Sequence, residues 1–255
     1  MRETGDPRSA HRVLCLPGAL CTAVFYDDMA SEPALAESSI RLIAATLPGF
    51  GGTTPPDDLS MENYAIMAAE LAGDLSCEIV VGHSLGATVA IQMVVGAGFK
   101  GPVVLLSPSF SRTDESRFPR ALDTMSLVLG HLPYSGMLKV IGPAMSSGLP
   151  PSRRQTLIAE LKRNDPKFLR RQNHQYLRYL DRVGSLAPRL CASGIRAWVV
   201  FGDRDDVGLT EDERNALASC SQVDLVEIAD AGHFTLNQQP GAIADLVVRA
   251  VSSQL

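Results

Sequence analysis

The stretch EIVVGHSLGATVAIQMV (78–94) joins two apolar segments through a serine that lies between two glycines. The first segment is rich in β-branched residues, which favour a strand, and the second has the small apolar residues of a buried helix. The pattern Gly82-x-Ser84-x-Gly86 between them is typical of a sharp strand-to-helix turn that exposes a serine hydroxyl. Such a turn strains the serine backbone, and only very small residues two positions away let the strand and the helix approach each other.

Six short apolar runs recur along the chain, with helix-like segments between them. The runs are 12–16, 41–46, 78–82, 102–107, 196–201 and 222–228. Most are continuous rather than alternating, as is typical of strands that are covered on both faces in a parallel sheet. Helix start signals follow three of these runs, at Ser60, Thr210 and Pro240. The sequence therefore predicts an α/β fold whose mostly parallel sheet of about six strands is covered by helices on both faces.

One long stretch interrupts this alternation. Residues 111–190 contain no convincing strand and show the pattern of several amphipathic helices. The expected breaks are Pro133, Gly142–Pro143, Pro150–Pro151 and Pro166. We expect residues 1–110 and 191–255 to form the core and 111–190 to form a helical cap. The apolar segments 125–132 and 136–142 of this cap are expected to line a pocket over Ser84.

Composition narrows the function classes. The 255 residues carry a net charge of −5 and no apolar run long enough to span a bilayer, so we expect neither a nucleic acid nor a membrane as partner. The N-terminal residues lack the apolar centre of a secretory signal. The five cysteines match no zinc spacing, and we expect free thiols in a reducing cytoplasm. The sequence does not predict an oligomeric state.

Charge is distributed unevenly along the chain. Residues 111–190 contain 14 basic and 6 acidic residues, a balance of +8, which leaves −13 for the rest. The common interpretation is a set of solvated faces and surface ion pairs. The alternative is that part of this basic segment steers an anionic substrate towards the site.

A serine hydroxyl needs a base, and the position of His233 suits that role. His233 lies in DAGHFTL, just after the strand-like run 222–228, and so at the carboxyl edge of the sheet where Ser84 also lies. His83 adjoins Ser84 and is expected to be structural. The remaining histidines lie in the polar N-terminus or in the insertion and are His11, His131 and His174. The acid that orients His233 is expected after the run 196–201, where Asp203, Asp205 and Asp206 are available.

These motifs resemble the α/β-hydrolase family over nearly all of the chain outside the insertion. The family's Gly-x-x-Asp pattern falls on Gly202 and Asp205, which implies Asp205 as the acid. Asp206 stands where many relatives have proline and is the second candidate. AGHF, with His233, is similar to the family's histidine motif. LPGFGGT (47–53) resembles the family's Pro-Gly-x-Gly turn, which is usually structural.

The resemblance also implies two backbone N–H donors for an oxyanion. One belongs to Leu85, the residue after the nucleophile. The other comes from the loop after an early strand, which is here CLPGALC (15–21), with Pro17–Gly18 in place of the family's His-Gly. Ala19 is the implied donor, and Leu20 is the alternative. The family usually has two antiparallel strands before this loop, but only eleven residues precede Arg12, so we expect a trimmed sheet.

The resemblance implies a serine hydrolase that cleaves a carboxylic ester or thioester through Ser84, His233 and Asp205, with no metal and no organic cofactor. The serine argues against the dehalogenase and epoxide hydrolase branches, which use aspartate. Three alternatives stay open. They are a carbon–carbon bond hydrolase of a vinylogous diketone, a cyanohydrin lyase, and a ligand-binding or receptor-like member with little turnover. Fold alone does not choose a substrate.

Overall fold

The computed structural model describes residues 1–145 and 148–253. The strands are β1 (Arg2–Thr4), β2 (His11–Leu16), β3 (Ile40–Ala44), β4 (Ile79–His83), β5 (Val103–Leu106), β6 (Ala197–Gly202) and β7 (Val223–Ile228). The helices are α1 (Asp27–Ala30), α2 (Pro33–Glu37), α3 (Met61–Asp74), α4 (Leu85–Gly96), α5 (Arg117–Leu129), α6 (Leu132–Met145), α7 (Arg154–Leu161), α8 (Pro166–Val183), α9 (Ala187–Ala192), α10 (Glu211–Ala218), α11 (Thr235–Gln238) and α12 (Pro240–Ser252). Two short 3₁₀ helices span Ala23–Tyr26 and Phe50–Gly52.

The strands form one sheet in the order β1-β3-β2-β4-β5-β6-β7. Strand β1 is antiparallel to β3, and the other neighbours are parallel. The six predicted runs correspond to β2–β7, so the mostly parallel α/β fold is confirmed. The additional strand, β1, lies within the residues before Arg12. Its three residues are all exposed, and they therefore carry no apolar pattern from which a strand could be predicted.

Alternate residues of the central strands pack into two separate cores. Leu14 and Val80 belong to the core that includes residues of α3, α4 and α8. Val13 and Val81 belong to the core that includes residues of α7 and α12. All four side chains are fully buried. The strands are therefore continuously apolar because helices cover both faces of the sheet.

The predicted helix starts agree with the structure. Ser60 caps α3 by accepting a hydrogen bond from the N–H of Asn63 at 3.2 Å. Thr210 and Glu213 form the capping box of α10, and Pro240 is the first residue of α12. These local signals depend only on neighbouring residues, and this explains why they were visible in the sequence.

Helices α5–α9 connect β5 to β6, in the part of the chain predicted to form helices. Helices α5, α6 and α8 pack on one another, and α8 also contacts α3. The predicted break at Gly142–Pro143 is wrong, because α6 continues through Pro143. Val128 is 87% exposed and most of its apolar neighbours are exposed too, and the expectation that residues 125–132 line a pocket over Ser84 stays a prediction. Within 136–142, Met137 and Ile141 are buried.

The cysteines differ from the expectation of five free thiols. Cys191 and Cys220 form a disulfide with their Cα atoms 5.8 Å apart, joining the end of α9 to the segment after α10. Cys15, Cys21 and Cys77 are free and buried. Burial raises the pKa of the Cys15 thiol well above its ordinary value, so Cys15 is a core residue rather than a reactive one.

Within the described part of the chain, no helix combines the length and the apolar character needed to cross a bilayer. The cytoplasmic location proposed from the sequence stays a prediction.

Strand β4 and helix α4 meet at a contact that leaves no space for side chains. A Cβ atom on Gly82 would lie 2.4 Å from the carbonyl oxygen of Gly86, at the start of α4. A Cβ atom on Gly86 would lie 2.1 Å from the carbonyl oxygen of Leu16, at the end of β2. Both glycines of the sequence motif are therefore required by close backbone approach, as predicted.

Replacing Gly86 with alanine should destabilise the fold by about 3 kcal/mol, because the new methyl group would meet the backbone of β2 and not a flexible side chain. Gly73 in α3 is a matched control, since a Cβ atom there meets nothing within 4 Å. Gly73→Ala should raise stability by about 0.5–1 kcal/mol. Urea unfolding followed by the fluorescence of Trp198 measures both changes. Equal unfolding midpoints for the two variants would contradict the argument.

Candidate active site

Ser84 occupies the turn between β4 and α4 in a strained backbone conformation. Its φ is 52° and its ψ is −116°, a region that costs a residue other than glycine about 1–3 kcal/mol. Its N–H donates to the carbonyl of Leu106 at 2.8 Å, and its carbonyl accepts from the N–H of Ala87 at 2.9 Å. These bonds hold Ser84 at the carboxyl edge of the sheet, where its side chain is partly exposed.

The loop after β2 lies directly against this turn. A Cβ atom on Gly18 would be 3.1 Å from Cβ of Ser84 and 2.9 Å from Nδ1 of His83, so the loop could not come this close with a larger residue. Ala19 follows and is exposed, and Leu20 has a φ of 69°. Across the turn, the N–H of Leu85 belongs to the first turn of α4 and has no intrahelical acceptor. The two predicted N–H donors thus belong to segments that meet at Ser84.

Asn164, between α7 and α8, holds the Gly18–Leu20 loop in place. Its Nδ2 donates to the carbonyls of Leu20 and Leu161, each at 2.8 Å. Its Oδ1 accepts from the N–H of Gly51 at 3.0 Å. Asn164 is 4% exposed, so these buried backbone groups depend on it for their hydrogen bonds. The sequence offered no signal for this residue, because all its longer-range partners lie more than one hundred residues away.

Asp205 and His233 are brought together by the loops after β6 and β7. Oδ1 of Asp205 lies 3.0 Å from Nδ1 of His233 and also accepts the N–H of Val207 at 3.0 Å. The Asp205 side chain is 1% exposed and that of His233 is 26% exposed. Of the other candidates, Asp206 is exposed, and Asp203 accepts the N–H of Ala231 at 3.1 Å. The geometry matches the predicted pairing of Asp205 with His233.

Opposing effects determine the charge of this pair. Burial alone would raise the pKa of Asp205, but its hydrogen bond to His233 and the charge of that imidazole bring the pKa below its ordinary value. Burial would lower the pKa of His233, whereas the hydrogen bond to Asp205 and the charges of Asp205, Glu115 and Asp206 raise it above 6.5. Asp205 is therefore a carboxylate at neutral pH that stabilises a protonated His233.

His83 and Ser107 hold the loop that carries His233 by hydrogen bonds to its backbone. Nε2 of His83 lies 2.8 Å from the carbonyl oxygen of His233, and Oγ of Ser107 donates to the same oxygen at 3.3 Å. His83 is buried, and burial lowers its pKa to about 3, so it is neutral and donates from Nε2. The expectation that His83 is structural agrees with these contacts.

Among the residues that the structure describes, no hydrogen bond joins Ser84 to His233. The pair nevertheless lies at the same edge of the sheet, because His83 adjoins Ser84 and bonds to the backbone of His233. Nucleophile–base contacts in enzymes without substrate are often long and shorten when substrate binds.

Glu115, which precedes α5, is a site residue that the sequence analysis did not identify. Its Oε2 accepts from the hydroxyls of Tyr176 at 2.9 Å and Ser109 at 3.2 Å. Its charge contributes to the raised pKa of His233. Beside it a cavity of about 730 Å³ opens between the segment before α5 and the loop that carries Asp206. No sequence pattern links Glu115 to His233, since only the packing of α5 and α8 brings it there.

Three residues offer ligand atoms that could hold a metal. One atom each from Asp205, Asp206 and His233 lie within 4.8 Å of one another. A metal bound here would compete with the hydrogen bond between Asp205 and His233, so the arrangement fits an oriented imidazole better than a ligand set. The absence of a metal or organic cofactor from the reaction stays a prediction.

Solved structures with the same fold include two esterases and a thioesterase domain. An esterase from Thermogutta terrifontis has a TM-score of 0.75 and 18% identity, over 99% of this chain and 92% of that one. An esterase from Exiguobacterium antarcticum has a TM-score of 0.77 and 16% identity, over 98% and 94%. The thioesterase domain from the curacin biosynthetic pathway has a TM-score of 0.69 and 19% identity, over 96% and 93%. These low identities establish a likeness of fold only.

No curated protein matches the sequence. The family model described as "Alpha/beta hydrolase family" matches residues 13–246, which is most of the chain and includes Ser84, Asp205 and His233. The chain therefore belongs to the alpha/beta hydrolase family.

Proposed function

We propose that this protein is a serine hydrolase that cleaves a carboxylic ester or thioester through an acyl-enzyme. The observation that carries the proposal is the hydrogen bond between Asp205 and His233 at the sheet edge that also holds the strained Ser84. A base oriented by a buried carboxylate beside a serine on a strand-to-helix turn is the arrangement that serine hydrolysis requires. The shared fold with two esterases and a thioesterase domain is consistent with it.

In the proposed reaction, Oγ of Ser84 attacks the carbonyl carbon while Nε2 of His233 takes the hydroxyl proton. His233 then gives this proton to the departing alcohol or thiol, and the acyl group remains on Ser84. A water molecule, deprotonated by His233, attacks the acyl-enzyme and releases the acid. Asp205 stabilises the imidazolium that forms twice in this cycle. The backbone N–H groups of Leu85 and Ala19 are proposed to bind the oxyanion.

We further propose that residues 111–190 form a cap over the site, with 1–110 and 191–255 as the core. All seven described strands lie outside 111–190, which supports this division. Contacts from the insertion to the site support it as well, because Asn164 holds the Gly18–Leu20 loop and Glu115 lies near His233. The cap would then help to shape the substrate pocket.

The charges near His233 favour a neutral substrate over an anionic one. Glu115 and Asp206 both act on His233, so an anionic group bound beside it would be repelled. Part of the basic charge of the insertion is engaged in ion pairs. These are Arg112 with Asp181, Arg153 with Asp27, Arg163 with Glu160, and Arg182 with Glu62. Pairs of this kind support the common interpretation of the basic insertion over the steering of an anion.

Ser84→Ala should abolish turnover of a p-nitrophenyl ester and covalent labelling by a fluorophosphonate probe, because both need the Ser84 hydroxyl. Intact-mass and peptide spectrometry of the labelled wild type should locate the adduct at Ser84. Ser109→Ala is the matched control. It also removes a serine hydroxyl near the site, but Ser109 does not lie on a strained turn. Labelling that persists in Ser84→Ala would exclude this mechanism, whereas an unlabelled and inactive wild type would favour a ligand-binding protein.

Asp205→Asn should lower kcat by on the order of 10⁴-fold, because the amide no longer orients His233 in the required tautomer. His233 can act as a base only when its imidazole is neutral, so kcat/KM should fall as the pH drops through the pKa of His233. Because that pKa is raised, this decrease should lie above pH 6.5 in the wild type. Loss of the Asp205 charge should move this decrease to lower pH. Asp206→Asn is the control and should keep kcat within about 10-fold of the wild type, since Asp206 has no hydrogen bond to His233 among the described residues. If Asp206→Asn were inactive and Asp205→Asn active, Asp206 and not Asp205 would be the residue that orients His233.

Asn164→Ala should lower kcat by about 10- to 100-fold with little change in KM, because the Gly18–Leu20 loop loses the bond that positions the N–H of Ala19. The rate of fluorophosphonate labelling should fall in parallel. Asn173→Ala is a matched control in the insertion, because Asn173 bonds to Pro119 and Tyr134 instead of this loop. A purely structural role would be indicated if both variants lost thermal stability and activity to the same extent.

A further inference from the structure

Exposed apolar side chains are concentrated on two helices of the insertion. Seven of the nine large apolar side chains that are exposed among the described residues lie on α5 and α6. They are Phe118, Met125, Leu127, Val128, Leu129, Leu132 and Val140, which we call the α5–α6 apolar patch. Val128 is 87% exposed and Leu127 is 65% exposed. Single exposed apolar residues are common on proteins, but a concentration of this size indicates a binding surface.

Helix α5 buries polar residues and exposes apolar ones, which is the reverse of a typical surface helix. Its buried residues are Leu122, Asp123 and Ser126, of which two are polar. Asp123 accepts from Nδ1 of His174 at 3.0 Å, and Oγ of Ser126 donates to the carbonyl of Asp123 at 2.8 Å. A helix that faces only water would expose such polar residues and bury its apolar ones. The hydrogen bond from His174 of α8 thus holds the polar side of α5 inwards, and apolar residues of α5 lie outside.

The same two helices carry positive charge without exposed acidic residues. Arg117, Arg120 and Lys139 have no ion-pair partner within the described ranges, and the one carboxylate of the two helices, Asp123, is buried. Acidic side chains approach at two edges of these helices. Asp114, Glu115 and Asp206 line a cavity together with Arg117 and Arg120. The second edge is near Leu127. There Asp57 and Asp58 line a cavity of about 290 Å³ together with Arg170 and Arg171. The charged residues that α5 and α6 themselves expose beside the α5–α6 apolar patch are therefore all basic.

We propose that the α5–α6 apolar patch docks onto the surface of an anionic lipid layer, with its apolar side chains at the acyl boundary and its basic side chains at the head groups. Apolar and basic groups on one helical surface are the combination that binds such interfaces in the plane of the membrane. This mode needs no spanning segment, and the lack of one was the reason for expecting no membrane partner from the sequence.

Two other occupants fit the observations less well. A symmetric dimer through this patch would place Arg117, Arg120 and Lys139 of both copies at one interface, and such like charges repel. A protein partner would need a groove shaped to receive side chains that protrude as far as Val128 does. A fluid lipid layer adapts to a protruding apolar surface and supplies negative charge.

Docking in this way would bring the candidate site close to the lipid. Arg117 and Phe118, at the start of α5, line the cavity that also contacts Asp206, next to Asp205. Substrates dissolved in a lipid layer could then enter from the bound face. The docking itself does not depend on the proposed hydrolytic reaction, so it is testable by binding alone.

The experiment measures partition of the full chain onto vesicles by flotation. The vesicles are phosphatidylcholine alone or phosphatidylcholine with an equal amount of phosphatidylglycerol. We expect at least ~10-fold stronger partition onto the anionic vesicles, decreasing with salt. The double variant Val128→Glu/Leu132→Glu should lose about 10-fold or more, and Lys139→Gln about 5-fold. Ile66→Glu is the matched control, because Ile66 is exposed on α3 outside the patch, and it should bind as the wild type does.

Several results would overturn the proposal. They are no partition of the wild type onto anionic vesicles, equal partition onto both vesicle types, or undiminished partition of Val128→Glu/Leu132→Glu. Sedimentation equilibrium measures the oligomeric state of the wild type and of the double variant. A dimer that the double variant disperses, in a protein that does not bind vesicles, would assign the patch to self-association instead. Circular dichroism verifies that the variants are folded, which is expected because both substituted side chains are largely exposed.

Discussion

The backbone contact between β4 and α4 is the constraint on which the rest of the site depends. With no side chain at Gly82 or Gly86, the helix begins directly at the end of the strand and against β2. This arrangement forces Ser84 into its strained conformation and leaves the first N–H groups of α4 free at the sheet edge. It also brings the loop at Gly18 against the serine. One steric condition therefore determines the position of Ser84, the proposed nucleophile, and of both proposed oxyanion donors.

The surroundings of His233 combine rigid support with a tuned charge. Its backbone carbonyl is held by the neutral, buried His83 and by Ser107, and its ring is held by Asp205. Burial disfavours the imidazolium, and the nearby carboxylates favour it more strongly. In the proposed reaction the imidazole gains and loses a proton in each cycle, and the carboxylates beside it stabilise the protonated form. Glu115 extends the acidic surroundings to the insertion and lines the cavity of about 730 Å³ that also contacts Asp206.

Some residues of the insertion lie against the site, and others face outwards. Asn164, before α8, and Glu115, before α5, hold polar groups at the site. Helices α5 and α6 present apolar side chains to the outside, which is unfavourable for a helix in water. The partly buried hydrogen bond between Asp123 and His174 of α8 supports that orientation. Phe118 belongs to this outward apolar surface and also lines the cavity that contacts Asp206, so the proposed docking would place lipid close to the candidate site.

The sequence by itself determined the elements whose signals are local. Strands β2–β7 were predictable because most of them are continuous apolar runs, as burial on both faces requires of central strands such as β4 and β5. The elbow at Ser84 and the capping box of α10 were predictable because their glycines and caps are close neighbours in the chain. The pairing of Asp205 with His233 followed from the resemblance to the family, and the structure brings these two residues together. Their catalytic roles stay a proposal.

Only the tertiary structure decided the features that depend on contacts between distant segments. The roles of Asn164 and Glu115, the disulfide between Cys191 and Cys220, and the pairing of β1 have no local signal. The orientation of α5 shows the reason most clearly. Its apolar residues predicted an amphipathic helix, but periodicity indicates which residues share a face and not which face is covered. That choice was made by partners such as His174, which are near α5 in space and far from it in the chain.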